Sequence, residues 1–334
     1  MNLSILDQSP VSSGATASDA LQASMLLAQE GEKLGYKRYW IAEHHNYPAL
    51  ATSSPEVMLG YIGANTSSIR IGAGAILLPH YKPYKVAETF HLLATLFPGR
   101  VDLGIGRSPG GSAEAMIALS GNFLENVRKT PQLVEELLYF INRSFPNDHQ
   151  FAQLNALPIP DVNPETWLLG TSGKSANLAA EKGLSYAFGH FMTEKDGPSI
   201  VQQYRQHFRV NSSGQPSQVI VAVSVICAET EEEAYRIALS CLLWSIQASR
   251  GVTSGIPSVE EARAYSFNKD EKKILENLRS RMVIGNVRNV IEQLRNLQST
   301  YKADEIMIVT ITHSYKDRLK SYELIAEELA LYIK

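Results

Sequence analysis

Short apolar runs alternate with longer segments whose apolar residues recur every three to four positions, and this rhythm repeats along the chain. The runs at 3–6, 38–45, 69–78, 101–105, 166–169, 186–188, 219–226 and 306–311 predict eight strands. Within the second run, Tyr39-Trp-Ile-Ala42 shows no alternation of apolar and polar, as expected of a parallel strand covered on both faces. Helices are predicted at 19–34, closed by Gly35, and at 54–64, where Ser54-Pro55 reads as an N-cap followed by proline in the first turn. Others are expected at 83–96, across most of 114–143, and at 175–181, 194–209, 230–244, 287–297 and 319–332. The sequence Thr230-Glu-Glu-Glu233 has the form of a capping box. Residues 145–164, rich in proline and asparagine, read as an extended loop, and 251–273 as a polar insertion.

Eight strands alternating with helices predict an α/β fold, a (β/α)8 TIM barrel with insertions. Parallel strands need crossover connections, and a closed barrel leaves no exposed edge. A doubly wound sheet would carry a glycine fingerprint after its first strand, and Asp7-Gln-Ser-Pro-Val-Ser-Ser13 lacks one. No break in composition marks a second domain, so residues 1–334 are expected to form a single one.

Composition narrows the function. A chain of 334 residues, 44% hydrophobic, can bury a large core. A net charge of -3 gives no electrostatic reason to expect nucleic acid or an anionic membrane as a partner. No apolar run reaches the ~18 residues of a membrane span, and the first residues lack the basic-then-apolar order of an export signal. Cys227 and Cys241 are too few for a disulfide framework and read as reduced core thiols. The expectation is a soluble, cytoplasmic protein.

In a barrel the functional residues follow the strands. Glu43, His44 and His45 end the second run, and His80 and Tyr81 follow the third. Gly106-Arg-Ser-Pro-Gly-Gly111 follows the fourth, Gly170-Thr-Ser-Gly-Lys-Ser175 the fifth and His190 the sixth. Adjacent strand residues point to opposite sides, so His44 and His45 cannot share one ligand without a bend. Arg107, between glycines, is placed to grip a phosphate through two parallel bonds. At 171–175, small hydroxyl residues between a strand and a helix put free N–H groups and the positive end of the helix dipole at one point, an anion site. The triplet Gly173-Lys-Ser175 does not complete a nucleotide P-loop, because position 168 is leucine, and Pro109 breaks a dinucleotide fingerprint begun by Gly104 and Gly106. A mononucleotide cofactor is therefore the expected owner of the phosphate. A metal-dependent hydrolase is disfavoured, since no HxH or HExxH spacing supplies ligands, and no metal site is expected.

These residues resemble the bacterial luciferase-like family of flavin-dependent monooxygenases, and within it the single-chain, non-luminescent members. The matching segments are Trp40-Ile-Ala-Glu-His-His45, Ile71-Gly-Ala-Gly-Ala-Ile-Leu-Leu-Pro79 with Pro83 and Ala87-Glu88, Gly99-Arg-Val-Asp-Leu-Gly-Ile-Gly-Arg107, and Leu168-Leu-Gly-Thr-Ser-Gly-Lys-Ser175. The resemblance implies an enzyme that binds reduced FMN, supplied by a separate flavin reductase, and reacts it with O2 to a C4a-hydroperoxide that oxygenates a small organic substrate. Carried over by position, Arg107, Ser172 and Ser175, with Thr171, would hold the FMN phosphate. A non-proline cis peptide at Gly74-Ala75 would back the flavin ring, with close packing inside the barrel as the other reading of these glycines. His44 would be the catalytic histidine, its near-neutral pKa suited to moving the hydroperoxide's proton.

Family analogy also implies a homodimer built on helices 54–64 and 83–96. Lys82 stands where luciferases often have histidine, and 251–273 is not obviously their mobile lid, so light emission and long-chain aldehyde oxidation are not expected. His190, Phe191 and His313 are candidate pocket residues as well as candidate structural groups. Two alternatives stay open: a deazaflavin-dependent oxidoreductase on the same barrel, and a non-catalytic flavin-binding protein, against which the retained His44 and Arg107 argue.

Overall fold

The computed structural model describes residues 1–210, 214, 216–252 and 254–331. Among the described residues there are nine strands: β1 (Leu3–Asp7), β2 (Arg38–Ile41), β3 (Arg70–Leu77), β4 (Val101–Gly106), β5 (Glu165–Gly170), β6 (Ser185–Gly189), β7 (Val219–Ala228), β8 (Met282–Asn286) and β9 (Glu305–Val309). All pairings are parallel. β1 to β7 follow one another in order, β7 pairs with β9, and β9 closes on β1. These eight form a closed barrel wrapped by helices, the (β/α)8 TIM barrel that the apolar rhythm predicts.

β8 stands outside the ring. Residues Ser224 to Ala228, the far half of the long strand β7, pair with Met282 to Asn286. The apolar pattern does not predict this strand: five residues, Met-Val-Ile-Gly-Asn, lie between two charged helices, and two of the five are glycine and asparagine. The 251–273 insertion that precedes it is itself partly helical, with helices Val259–Ala264 and Lys269–Arg279 each opened by a reciprocal capping box.

Four of the nine predicted helices form within two residues of their expected bounds, whereas Glu231–Ser249 and Val287–Tyr301 run four or five residues further than expected and Gly197–His207 starts three later. Pro55–Ala64 and Pro83–Leu96 match, although Ser54 makes no side-chain cap. The predicted helix over 114–143 is three helices, Ala113–Ser120, Phe123–Arg128 and Thr130–Asn142. Gly121, at φ +66°, turns the chain between the first two, and Pro131 opens the third. At Thr230 only half the expected capping box forms. Its hydroxyl accepts from Glu233 N–H, but the Glu233 carboxylate binds Arg236 instead. The last helix, Tyr315–Leu331, begins earlier than expected, and the predicted end at Tyr332 lies outside the described residues.

The barrel interior is layered. At the amino ends of the strands a buried ionic cluster forms the floor. Arg38 lies 2.7 Å from Asp102 and 2.8 Å from Glu305, and Arg70 also binds Asp102. Above it Trp40 donates its indole N–H to Asp102 at 2.8 Å and meets Trp167 edge-on at 5.6 Å, while the Arg38 guanidinium lies 4.8 Å from the Trp167 ring. Leu6, Ala187, Ile220, Ala222 and Met307 complete this inner apolar layer. The floor seals one end of the barrel and leaves the carboxyl ends of the strands as the open one.

Candidate active site

At those carboxyl ends a cavity of about 410 Å³ opens. Its base is the Trp40 layer, and its walls come from loops after β1 to β6. His44, Gly74, Ala75, Arg107, Thr171 and Ser172, six of the seven residues carried over from the family resemblance, line it together. The seventh, Ser175, lines an adjoining cleft of about 540 Å³ that shares Gly106, Arg107 and Leu169 with the cavity.

β2 ends at Ile41 rather than running to residue 45, and this places Glu43, His44 and His45 in a loop. The chain leaves the sheet because its N–H groups find partners elsewhere: His44 N–H donates to Thr52 C=O at 2.9 Å and His45 N–H to Gly110 C=O at 2.7 Å. The two imidazoles separate accordingly. His44 lines the cavity, and its buried Nδ1 has no hydrogen-bond partner. Burial, helped by the neighbouring His45, pushes its pKa down to about 4, so its ring is neutral at physiological pH. His45 bonds to the Glu43 carboxylate at 2.7 Å.

β3 passes beneath the cavity as Arg70–Leu77, with a cis peptide between Gly74 and Ala75 where the resemblance implies one. The packing reading of the glycines holds as well: a Cβ on Gly72 would lie 2.6 Å from the Trp40 indole nitrogen, and one on Gly74 2.9 Å from Leu6.

The anion site is assembled from β4 and β5. Arg107 donates to the Ser172 hydroxyl at 3.3 Å, bringing the guanidinium to the start of helix Gly173–Glu181. Ser172 caps that helix, and Ser172 and Ser175 form a reciprocal capping box. Ser175 is less free than its sequence position suggests. It is buried, donates to Ser172 C=O at 2.7 Å and contacts the Tyr186 hydroxyl at 3.0 Å, so it supports the helix terminus from below. Lys174, from the 170–175 motif, lines the same cleft, as does Arg128, which the sequence did not single out. Arg128 is one basic residue on a short helix, with no local motif to mark it.

The other candidates divide between the cavity and structural partners. Phe191 lines the cavity with Met192 and Lys195. His190 bonds to the Tyr301 hydroxyl at 2.8 Å, and His313 to Ser13 C=O at 3.2 Å, so both have structural partners. His80 bonds to Pro109 C=O at 2.9 Å and stacks on Phe123. Tyr81 donates to Glu43. Cys227 and Cys241 are buried, with thiols pushed up to about 12. Among the described residues no group of three or more His, Cys, Asp or Glu side chains could hold a metal ion, and no helix is long and apolar enough to cross a membrane.

The arrangement suits a flavin mononucleotide. An apolar cavity with a glycine-lined shelf offers room for a flat ring system, and a guanidinium beside a helix N-terminus offers a phosphate site at one edge. The neutral His44 ring, which lines the same cavity, adds a titratable group to its wall.

Comparison with known proteins agrees with this geometry. The chain is 37% identical to the N-acetyl-S-alkylcysteine monooxygenase of Bacillus subtilis over 98% of both chains. The solved structure of apo-MsnO8 superimposes with a TM-score of 0.86, at 33% identity over 99% of this chain and 98% of that one. The fold is shared further by the oxygenating constituent of 3,6-diketocamphane monooxygenase from Pseudomonas putida, solved with FMN, at a TM-score of 0.70, 19% identity and coverage of 99% and 98%. The family profile described as luciferase-like monooxygenase matches residues 1–303, and this chain belongs to that family.

Proposed function

We propose that this protein is an FMN-dependent monooxygenase that uses reduced FMN and O2 to oxygenate a small organic substrate. One observation carries the reading: a single cavity joins a cationic, helix-capped wall at Arg107 and Ser172 to an apolar shelf at Gly74–Ala75 and to an unpartnered imidazole at His44. The FMN in the distant solved relative and the monooxygenase activity named for the Bacillus relative support it.

In this reading Arg107, with Arg128 and Lys174 nearby, neutralises the FMN phosphate, and Thr171 and Ser172 contribute hydroxyl and backbone donors. Ser175 holds the helix terminus in place. Bound reduced FMN supplies the electrons that activate O2. The chain's part is to exclude water with Trp40, Leu169, Phe188 and Phe191, and to receive or return a proton at the His44 ring. The reduced flavin comes from a separate reductase, the protein works in the cytoplasm, and it is a homodimer.

Anaerobic titration with reduced FMN, set beside reduced deazaflavin, tests the reading. Tight binding of FMN and its consumption with O2 and substrate are expected. Binding of deazaflavin alone would make the protein a deazaflavin-dependent oxidoreductase, and binding without turnover a flavin carrier. Arg107→Ala should weaken FMN about 10- to 100-fold, as loss of a charged hydrogen bond worth about 1.5–3 kcal/mol implies.

A further inference from the structure

One buried carboxylate beside the cavity has no task in the reaction described above. Glu43 accepts three hydrogen bonds: from His45 Nε2 at 2.7 Å, from the Tyr81 hydroxyl at 2.7 Å and from the Leu77 backbone N–H at 2.9 Å. Its side chain is fully buried. The three donors come from separate places, namely the loop after β2, the end of β3 and the turn beyond it. His45 extends the connection to a fourth segment, since its main chain bridges to Gly110 and Gly111 in the loop after β4.

His44 lies between these two anchored residues. With no hydrogen bond at Nδ1, its ring takes its direction from the main chain that Glu43 and His45 clamp on either side. β3, which Glu43 grips at Leu77, carries the Gly74–Ala75 shelf. The clamp therefore fixes the distance between the imidazole and the surface on which a flat ligand would rest.

We propose that Glu43 is a positioning residue for the reaction at His44, holding the histidine loop in register with the β3 shelf through His45, Tyr81 and the Leu77 N–H. The proposal rests on the flavin reading of the cavity for its consequence in turnover, and on this geometry alone for its consequence in structure. The charged and titratable groups around the clamp are His45 and Tyr81 in contact, Glu56 on helix Pro55–Ala64, whose pKa burial raises, and His80, edge-on to His45 at 5.8 Å.

Glu43→Gln is the discriminating variant. Its amide oxygen can accept from Leu77 N–H, but its NH2 group must then face His45 and Tyr81, which now donate. The polarity of the clamp is reversed with little change of volume. Turnover is expected to fall about 10- to 100-fold, the loss that a displacement of about 1 Å in a reacting group produces, with KM and FMN affinity near those of the wild type. In the cofactor-free protein the NMR signals of the His44 ring should shift or broaden, and its pH titration should move. His45→Ala, which removes one arm of the clamp, should show the same split of kcat from KM if Glu43→Gln does not fold. A folded Glu43→Gln protein with wild-type His44 signals and wild-type kcat would overturn the proposal. If wild-type protein fails to bind reduced FMN, the flavin reading falls, and the NMR comparison still decides whether Glu43 positions His44.

Discussion

His44 occupies a place where a histidine loses its usual response to pH. Its pKa falls from the ordinary 6.5 to about 4 because burial disfavours the charged ring and His45 lies close. Between these two values the unfolded chain binds the extra proton and the folded chain does not, so stability falls as pH drops from about 6.5 to about 4. A shift of this size corresponds to at most about 3 kcal/mol. Urea denaturation at pH 7 and pH 4.5 should show this loss in the wild type and a smaller one in His44→Gln. Sequence motifs reach the residues of this loop because they are contiguous. What they do not reach is the acceptor role of Glu43, whose partners Leu77 and Tyr81 stand 34 and 38 positions away. Arg128 escaped notice for the same reason, since its relation to Arg107 exists only once β4 and the following helices are folded.

At the scale of elements, the helix Gly173–Glu181 is both a structural and a functional part. Its cap, the Ser172 hydroxyl, accepts from the Ser175 N–H and also from Arg107. Ser172→Ala should cost about 1 kcal/mol of stability as a lost N-cap, measured by thermal or chemical denaturation. It should also weaken FMN binding, because the guanidinium loses the group that steers it. The strand–loop–helix order that makes this site was legible in residues 166–181, where apolar run, hydroxyl residues and helix former follow one another directly. β8 was not, because its pairing with the far half of β7 is decided by tertiary contact rather than by its own five residues. The early end of β2 has a similar cause: the apolar run suggests a longer strand, and hydrogen bonds to Thr52 and Gly110 draw the chain away.

At the scale of the whole molecule, two neighbouring helices expose apolar pairs that the interior does not explain. Val57 and Tyr61, 69% and 42% exposed, lie one turn apart on helix Pro55–Ala64, and Leu92 and Leu96, 49% and 59% exposed, one turn apart on the adjacent helix Pro83–Leu96. Such apolar pairs on neighbouring helices fit the homodimer face proposed above. Sedimentation should show a dimer, and Val57→Asp with Leu92→Asp should give a folded monomer; a wild-type monomer would remove the proposal. The barrel itself was legible because eight buried parallel strands leave eight apolar runs in the sequence, whereas the ionic floor was not, its members Arg38, Arg70, Asp102, Glu165 and Glu305 being scattered over the chain.

That floor also governs traffic. With Arg38, Asp102 and Glu305 packed under Trp40 and Trp167, the amino end of the barrel is plugged, and the cavity is reached from the carboxyl end. On the flavin reading proposed above, cofactor, oxygen, substrate and product would all pass by that end. Ion pairs at the opposite end of the barrel would then decide from which side every reactant arrives.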